Sequence, residues 1–243
     1  MRNLTIIFIA FVFNQTANAS FFRDACRHIE GPQSLLNEAQ IHELKKDHRV
    51  VEHESMQTLA TQEYERLMAE FFFELCKVPY QHRKLVKRRG LETHLVAGSI
   101  TQHPFIQSLP NGPRGHATDW TPVPGAAATS RSAPTVINIK SLYANHGSKN
   151  LVIHEFGHVL DQFFNTYDNA LFDISPSPTF VELSKDSPWL QIYGAFLVPY
   201  HKENPEEHFA ELYARWYGSE ESRAELRALI PGIEAFFDSL LLP

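Results

Sequence analysis

The feature that most constrains this chain is a set of titratable residues in an otherwise apolar segment, LVIHEFGHVLDQFF at residues 151–164. Burying imidazoles and a carboxylate without partners costs free energy, so His154, Glu155 and His158 need something that satisfies them. Positions i and i+4 of a helix share one face, so the two histidines can donate nitrogens to one metal ion. Glu155 lies beside them, where a carboxylate can accept a proton from water at the ion. The segment predicts a metal-binding helix; the alternative is a pair of core histidines bonded to backbone carbonyls.

Gly157, within the same segment, favours the metal interpretation. It lies within about 60° of the two histidines on a helical wheel. A glycine inside a helix costs about 0.5–1 kcal/mol relative to alanine. A missing side chain there is explained if another backbone packs closely against the histidine face.

A catalytic zinc ion takes three protein ligands and keeps a fourth position open. The extended form of the motif, with a third histidine six residues past the second, is absent because Phe164 stands there. We predict Glu207, in the segment NPEEHFAELYARWYG, as the third ligand. Its helix face also carries Glu211 and the small residues Ala210 and Ala214, which suit close approach to the Gly157 helix. Glu211 is then expected to accept a hydrogen bond from the outer nitrogen of a ligand histidine.

Other interpretations of these glutamates stay open. Glu207 can belong to a capping box with Asn204, which leaves Glu211 simply solvated. Glu206 and Glu182 are the reserve candidates for the third ligand.

Composition and charge narrow the class of protein. With 243 residues, 43% hydrophobic and 21% charged, the chain suits one globular domain with a proper core. A formal net charge of −6 argues against a nucleic acid partner, which needs a basic surface to release counterions. The basic cluster at residues 84–89 is expected to end a helix, with Gly90 just beyond it.

The N-terminus predicts export. Arg2 precedes an apolar run at residues 4–13, and Ala17-Asn18-Ala19 follows, the pattern of a cleavable secretory signal over residues 1–19. Ten apolar residues fall short of the about 20 that span a bilayer, so the mature chain is expected to leave the membrane, in the periplasm or secreted. In an oxidising compartment Cys26 and Cys76 are expected to pair, with two free thiols as the alternative.

The pattern of the remaining chain predicts an α+β fold that is mostly helical. Residues 20–78 are interpreted as a helical region packed on a second region at residues 79–243. The Pro- and Gly-rich stretch 103–134 is expected to be an irregular surface stretch. The predicted helices lie within 33–76, at 80–89, from about 149 with Ser148 or Asn150 as cap, from Asn204, from Ser219 and from Pro231, and the predicted strands at 91–97 and 134–140.

Taken together, these residues resemble the catalytic domain of anthrax lethal factor and the related Pro-Pro endopeptidases, zinc peptidases whose third ligand is a glutamate. The matching pieces are HEFGHVLD at residues 154–161, Tyr200, and EHFAE at residues 207–211. In that family a tyrosine seven residues before the glutamate ligand faces the substrate carbonyl, and Tyr200 stands seven residues before Glu207. The resemblance covers residues 135–243, and more loosely the chain from about residue 80. It implies that the stretch 103–134 forms the loop and edge strand against which a peptide substrate would lie.

The resemblance implies a zincin-like domain, with a small sheet packed on the motif helix, that hydrolyses peptide bonds. His154, His158 and Glu207 would bind one Zn²⁺, Glu155 would be the base, Tyr200 would polarise the substrate, and Glu211 would support a ligand histidine. A peptide or protein is the implied partner. His201 is an alternative electrophile to Tyr200. Two rival functions stay open: an exported binding protein on a metallopeptidase scaffold, and a zinc amidase acting on cell-wall peptides.

Overall fold

The computed structural model describes residues 25–29, 31, 36–109, 112, 119–128, 130, 132–143, 148, 150–164, 173–185 and 187–241. The predicted signal at residues 1–19 lies outside the described residues. The helices are α1 Glu38–His48, α2 Thr61–Cys76, α3 Tyr80–Arg88, α4 Pro104–Gln107, α5 Leu151–Phe163, α6 Pro178–Lys185, α7 Trp189–Glu203, α8 Pro205–Gly218, α9 Glu220–Leu229 and α10 Ile233–Ser239. The strands are β1 Val50–Glu52, β2 Thr93–Val96, β3 Gly125–Ala126 and β4 Thr135–Asn138. The prediction of an α+β fold that is mostly helical, with a small sheet, is confirmed.

The four strands form one sheet in the order β1-β2-β4-β3. β1, β2 and β4 are parallel, with Val51 opposite His94 and His94 opposite Val136. β3 is antiparallel to β4, with Gly125 opposite Ile137, and forms one edge of the sheet. The stretch predicted as irregular with an edge strand therefore does contribute an edge strand, two residues long.

The strands at residues 93–96 and 135–138 lie where the alternation of the sequence predicts them. The prediction of helix across residues 33–76 is wrong at one point, because Val50–Glu52 is a strand. Its formation depends on pairing with β2, more than forty residues further along the chain, and three residues are too few for a periodic signal. Through β1, the segment 20–78 contributes a strand to the sheet that continues in residues 79–243.

Helix α5 begins after Asn150, whose side chain accepts a hydrogen bond from the backbone N–H of Ile153. Of the two predicted caps, Asn150 is therefore the one used. The cap is held in place because its amide donates to the buried carboxylate of Glu74 on α2. All but one of the thirteen α5 residues are buried, which explains the apolar composition of the motif segment.

Helices α7 and α8 meet at Asn204, where Pro205 takes the first helical position of α8. The Asn204 amide donates to the backbone carbonyl of Tyr200 at 2.8 Å, and its side chain makes no cap bond to α8. α7 itself consists of two helical pieces joined at Gly194, whose φ of 68° and ψ of 165° suit glycine almost alone. The second piece carries Tyr200 and His201 and leads into α8.

A disulfide joins Cys26, in a 3₁₀ turn at Ala25–His28, to Cys76 at the end of α2. The expected pairing is thus present, and it ties the first described residues to the helical core. Within the described part of the chain, no helix is both long enough and apolar enough to cross a bilayer.

Candidate metal site

Three predicted ligands converge in the structure. Nε2 of His154 lies 3.2 Å from Nε2 of His158, and the two nitrogens lie 3.5 and 3.4 Å from Oε2 of Glu207. The ligand atoms are close enough to share one metal ion, although α5 and α8 are separated by more than forty residues of chain. All three side chains are largely buried, with exposures of 11%, 7% and 12%.

The two helices approach closely because small residues face each other at their crossing. A side chain added at Gly157 would place its Cβ only 2.9 Å from the Cα of Ala210. Real Cβ atoms do not approach a backbone so closely, so glycine is required at this position. The expectation drawn from Gly157 and the alanine face of α8 is confirmed at Ala210. This contact brings Glu207 within reach of the two histidines.

Glu211 follows Glu207 by one helical turn and is fully buried. Its Oε2 faces Nδ1 of His154 at 3.6 Å, and neither atom has a hydrogen-bond partner among the described residues. Its other oxygen, Oε1, accepts a hydrogen bond of 2.8 Å from Nε of Arg215. A carboxylate behind the outer nitrogen of a ligand histidine is the arrangement that orients metal-binding imidazoles.

The charges around the histidines favour a cation at this point. Burial lowers the pKa of His154, but the carboxylates of Glu207, Glu211 and Glu155 outweigh burial and raise it to about 10. Burial raises the pKa of Glu207, but the two histidines hold it well below its ordinary value. Burial also raises the pKa of Glu211, which His154 and Arg215 nevertheless lower. Several ionised carboxylates thus surround two imidazoles, and a proton or a metal ion supplies the positive charge they require.

Glu155 lies where α5 meets the edge of the sheet. A Cβ added at Gly125, the first residue of β3, would lie 2.6 Å from Oε1 of Glu155. The carboxylate therefore occupies the space that a larger residue on the edge strand would take.

His201, in the second piece of α7, lies close enough to Glu211, Glu207 and His154 for their charges to affect it. Burial lowers the pKa of His201 to about 4, although the negative charges of Glu211 and Glu207 act to raise it. The ring of His201 stacks on Tyr193 at a centroid distance of 3.7 Å. The ring of Tyr200, beside it, is half-buried and contacts His201 edge to face. These contacts place His201 in the core. The choice between Tyr200 and His201 as the electrophile stays a prediction.

The reserve ligands Glu182 and Glu206, and the capping box between Asn204 and Glu207, fit the structure less well than Glu207 as the third ligand. Glu182 lies on the surface of α6, where it pairs with Lys185. Glu206 is half-buried and lies outside the group of three converging ligands. The capping box between Asn204 and Glu207 does not form, since the Asn204 side chain turns back to α7.

Two residues at the site were not predicted from the sequence. Arg215 is buried against Glu211, and the i, i+4 spacing of opposite charges on an otherwise apolar helix was an available signal for it. Gly125 approaches Glu155 across the sheet edge, and nothing in the sequence near Gly125 indicates that partner.

Two histidines on a buried helix and a glutamate from a second helix could together hold one metal ion beside the edge of a small mixed sheet, and this arrangement fits a metallopeptidase. The family model described as "Anthrax toxin lethal factor, N- and C-terminal domain" matches residues 39–240. The chain therefore belongs to the anthrax lethal factor family, and the resemblance inferred from its motifs is confirmed. It is a peptidase, a hydrolase acting on peptide bonds.

Two curated relatives named Pro-Pro endopeptidase are similar to this chain. The one from Clostridioides difficile strain 630 is 25% identical over 172 residues, 68% of this chain and 72% of the relative. The one from Paenibacillus alvei is 26% identical over 159 residues, 64% of this chain and 68% of the relative. The solved structure of the Pro-Pro endopeptidase from Paenibacillus alvei matches with a TM-score of 0.63 at 23% identity, covering 82% of this chain and 99% of that one. This last likeness concerns the fold.

Proposed function

We propose that this protein is an exported zinc-dependent endopeptidase, and that His154, His158 and Glu207 hold the single Zn²⁺. The convergence of these three ligands carries the proposal. Ligands about 2.0–2.1 Å from a tetrahedral zinc ion lie about 3.3–3.4 Å from one another. The observed separations of 3.2, 3.4 and 3.5 Å bracket that value.

The chemistry then follows from the side chains around the ion. When bound, zinc supplies a Lewis acid that polarises the scissile carbonyl and makes water more acidic. Glu155 takes a proton from the attacking water and passes it to the leaving amine. Tyr200 donates a hydrogen bond to the developing oxyanion, and one such donor is worth about 10²–10³ in kcat. Glu211 fixes the ring of His154.

Edge strand β3 is proposed to bind the substrate. An extended peptide that pairs with a sheet edge gains backbone hydrogen bonds, and its scissile bond comes beside Glu155. The absence of a side chain at Gly125 leaves room for the carboxylate of Glu155 beside this strand. Since both curated relatives carry the name Pro-Pro endopeptidase, peptides containing consecutive prolines are the first substrates to test.

Export is proposed from the predicted signal at residues 1–19. The Cys26–Cys76 disulfide supports it, because such bonds persist in oxidising compartments. The intact mass of protein recovered from the periplasm or the medium tests this part, with cleavage after Ala19 as the expected result.

A peptide-library digest read by mass spectrometry tests the catalytic proposal. The library includes peptides with consecutive prolines and cross-linked cell-wall peptides, and each digest is run with chelator, without it, and with zinc restored. We expect cleavage of linear peptides that stops with chelator and returns with zinc. Cleavage of cell-wall peptides alone would favour an amidase, and zinc binding without any cleavage would favour a binding protein.

A further inference from the structure

Arg215 is a buried cation that the proposed chemistry does not use. It lies on α8, one helical turn beyond Glu211, and its side chain is 7% exposed. Its Nε donates to Oε1 of Glu211 at 2.8 Å, and its Nη2 donates to the backbone carbonyl of Ile192 at 2.6 Å. Glu225 lies further away, at 3.7 Å from Nη1. The guanidinium is therefore held at two sides by good hydrogen bonds.

The bond to Glu211 determines where the second oxygen of that carboxylate points. A carboxylate is planar, so fixing Oε1 against Arg215 leaves Oε2 directed at Nδ1 of His154, 3.6 Å away. Both of these facing atoms are buried and without a hydrogen-bond partner among the described residues.

The bond to Ile192 connects the same guanidinium to α7. Ile192 lies in the first piece of α7, two residues before the kink at Gly194. Arg215 thereby joins three parts of the site: the helix that carries Glu207, the carboxylate behind His154, and the helix that leads to Tyr200.

We propose that Arg215 is a positioning residue for the metal site, acting through Glu211 to orient His154. This inference rests on the proposed zinc function. The competing explanation is a buried ion pair that stabilises the fold alone, since removing one partner of such a pair is destabilising wherever it lies. The two explanations differ in what happens to the metal affinity of protein that remains folded.

Zinc affinity, measured by competition with a chromophoric chelator on metal-stripped protein, separates them. The variants are Arg215→Met, Glu211→Gln, the double variant, and Arg223→Met as control. Arg223 contacts the backbone carbonyl of Trp216 and does not contact Glu211. Circular dichroism of each metal-free protein verifies the fold.

We expect Arg215→Met and Glu211→Gln each to weaken zinc binding about 10–100-fold, the usual cost of losing an outer partner of a ligand. The double variant should bind no more weakly than Glu211→Gln, because Arg215 acts through that carboxylate. Arg223→Met should bind like the wild type. Equal affinity of folded Arg215→Met and wild type, or losses that multiply in the double variant, would overturn the inference.

Arg215→Lys keeps the inference testable if Arg215→Met does not fold. Lysine keeps the charge but lacks the planar fork that reaches Glu211 and Ile192 together, so we expect at least about threefold weaker binding. That loss should vanish in the Glu211→Gln background, and wild-type affinity in Arg215→Lys would contradict the inference. Failure of the wild type itself to bind zinc would refute the proposed function, and the inference with it.

Discussion

At the scale of single residues, the site depends on two glycines that make space for two different groups. Gly157 lets α8 approach the histidines, and Gly125 leaves room for the carboxylate of Glu155. The neighbour is backbone in the first case and the end of a flexible side chain in the second. Substitution of Gly157 should therefore impair metal binding and stability, whereas substitution of Gly125 should impair turnover.

Gly157→Ala should weaken metal binding and stability together. The added Cβ meets the Ala210 backbone at 2.9 Å, so α5 and α8 must separate. We expect a loss of about 1–3 kcal/mol in the free energy of unfolding, as for other overpacked cores, and weaker zinc binding. Urea unfolding and chelator competition measure the two effects. Gly218→Ala, whose added Cβ would meet no described atom closer than 4.0 Å, is the matched control and should lose neither.

Gly125→Ala should slow turnover and leave zinc affinity unchanged. The added Cβ would lie 2.6 Å from Oε1 of Glu155, and the carboxylate must rotate away from the position we assign to the base. We expect kcat to fall about tenfold or more, in line with the worth of a well-placed base. An unchanged kcat would show that the position of this carboxylate is not critical.

Glu155→Gln should abolish turnover in protein that still binds zinc. The amide is nearly the same size and occupies the same pocket, but it cannot accept a proton from water. We expect kcat to fall by at least about 10²–10⁴-fold, with zinc affinity within about threefold of the wild type. His158→Ala removes a proposed ligand and should lose both turnover and zinc binding. Normal cleavage by Glu155→Gln would remove this residue from the mechanism.

At the scale of elements, prediction from sequence succeeded where a signal is local. The α5 helix carries its own cap at Asn150 and its own apolar periodicity, and α8 begins with Asn204-Pro205. Strand β1 was missed because its only cause is pairing with β2. Glu207 could be placed by helical-wheel reasoning, whereas the contact of Gly125 with Glu155 depends on how sheet and helix pack in three dimensions.

The disulfide gives a prediction at the same scale. It closes a loop with a sequence separation of 50 between the first described turn and the end of α2. The chain-entropy account assigns about 4 kcal/mol to a loop of this length, and measured values are typically about 2–4 kcal/mol. Cys26→Ser/Cys76→Ser should lose about that much in the free energy of unfolding, by urea denaturation.

Two comparisons show whether the loss in the free energy of unfolding comes from the disulfide itself. A reducing agent should destabilise the wild type to the level of the variant and leave the variant unchanged. Zinc affinity should be the same in the oxidised wild type and in the variant, because the disulfide occupies both sulfurs in the first and the second has no thiol at these positions. A variant as stable as the oxidised wild type would mean that the pairing contributes nothing.

For the whole molecule, buried neutral histidines are expected to make the fold sensitive to acid. Four of the described histidines have pKa values below the ordinary value, and burial is the largest cause in each case. They are His82, His103, His201 and His208. In the unfolded chain each takes up a proton near pH 6.5. In the folded protein, burial and the charges of His94 and His53 lower the pKa of His103 to about 4. Between about pH 6.5 and pH 4 the unfolded state therefore binds more protons than the folded state, so the free energy of unfolding falls as the pH falls.

His103 allows this account to be tested away from the metal site. Its Nδ1 accepts the backbone N–H of Phe105 at the start of α4, and asparagine can make the same cap without titrating. The stabilising contribution of neutral His103 is complete above pH 6.5 and is lost as the pH falls through about 4. Asp161 opposes the trend, because burial raises its pKa to about 6, but it does so equally in both proteins. We therefore expect the urea midpoint to drop less between pH 7 and pH 5 in His103→Asn than in the wild type. Parallel drops would show that His103 is not one of the groups that make the fold acid-sensitive.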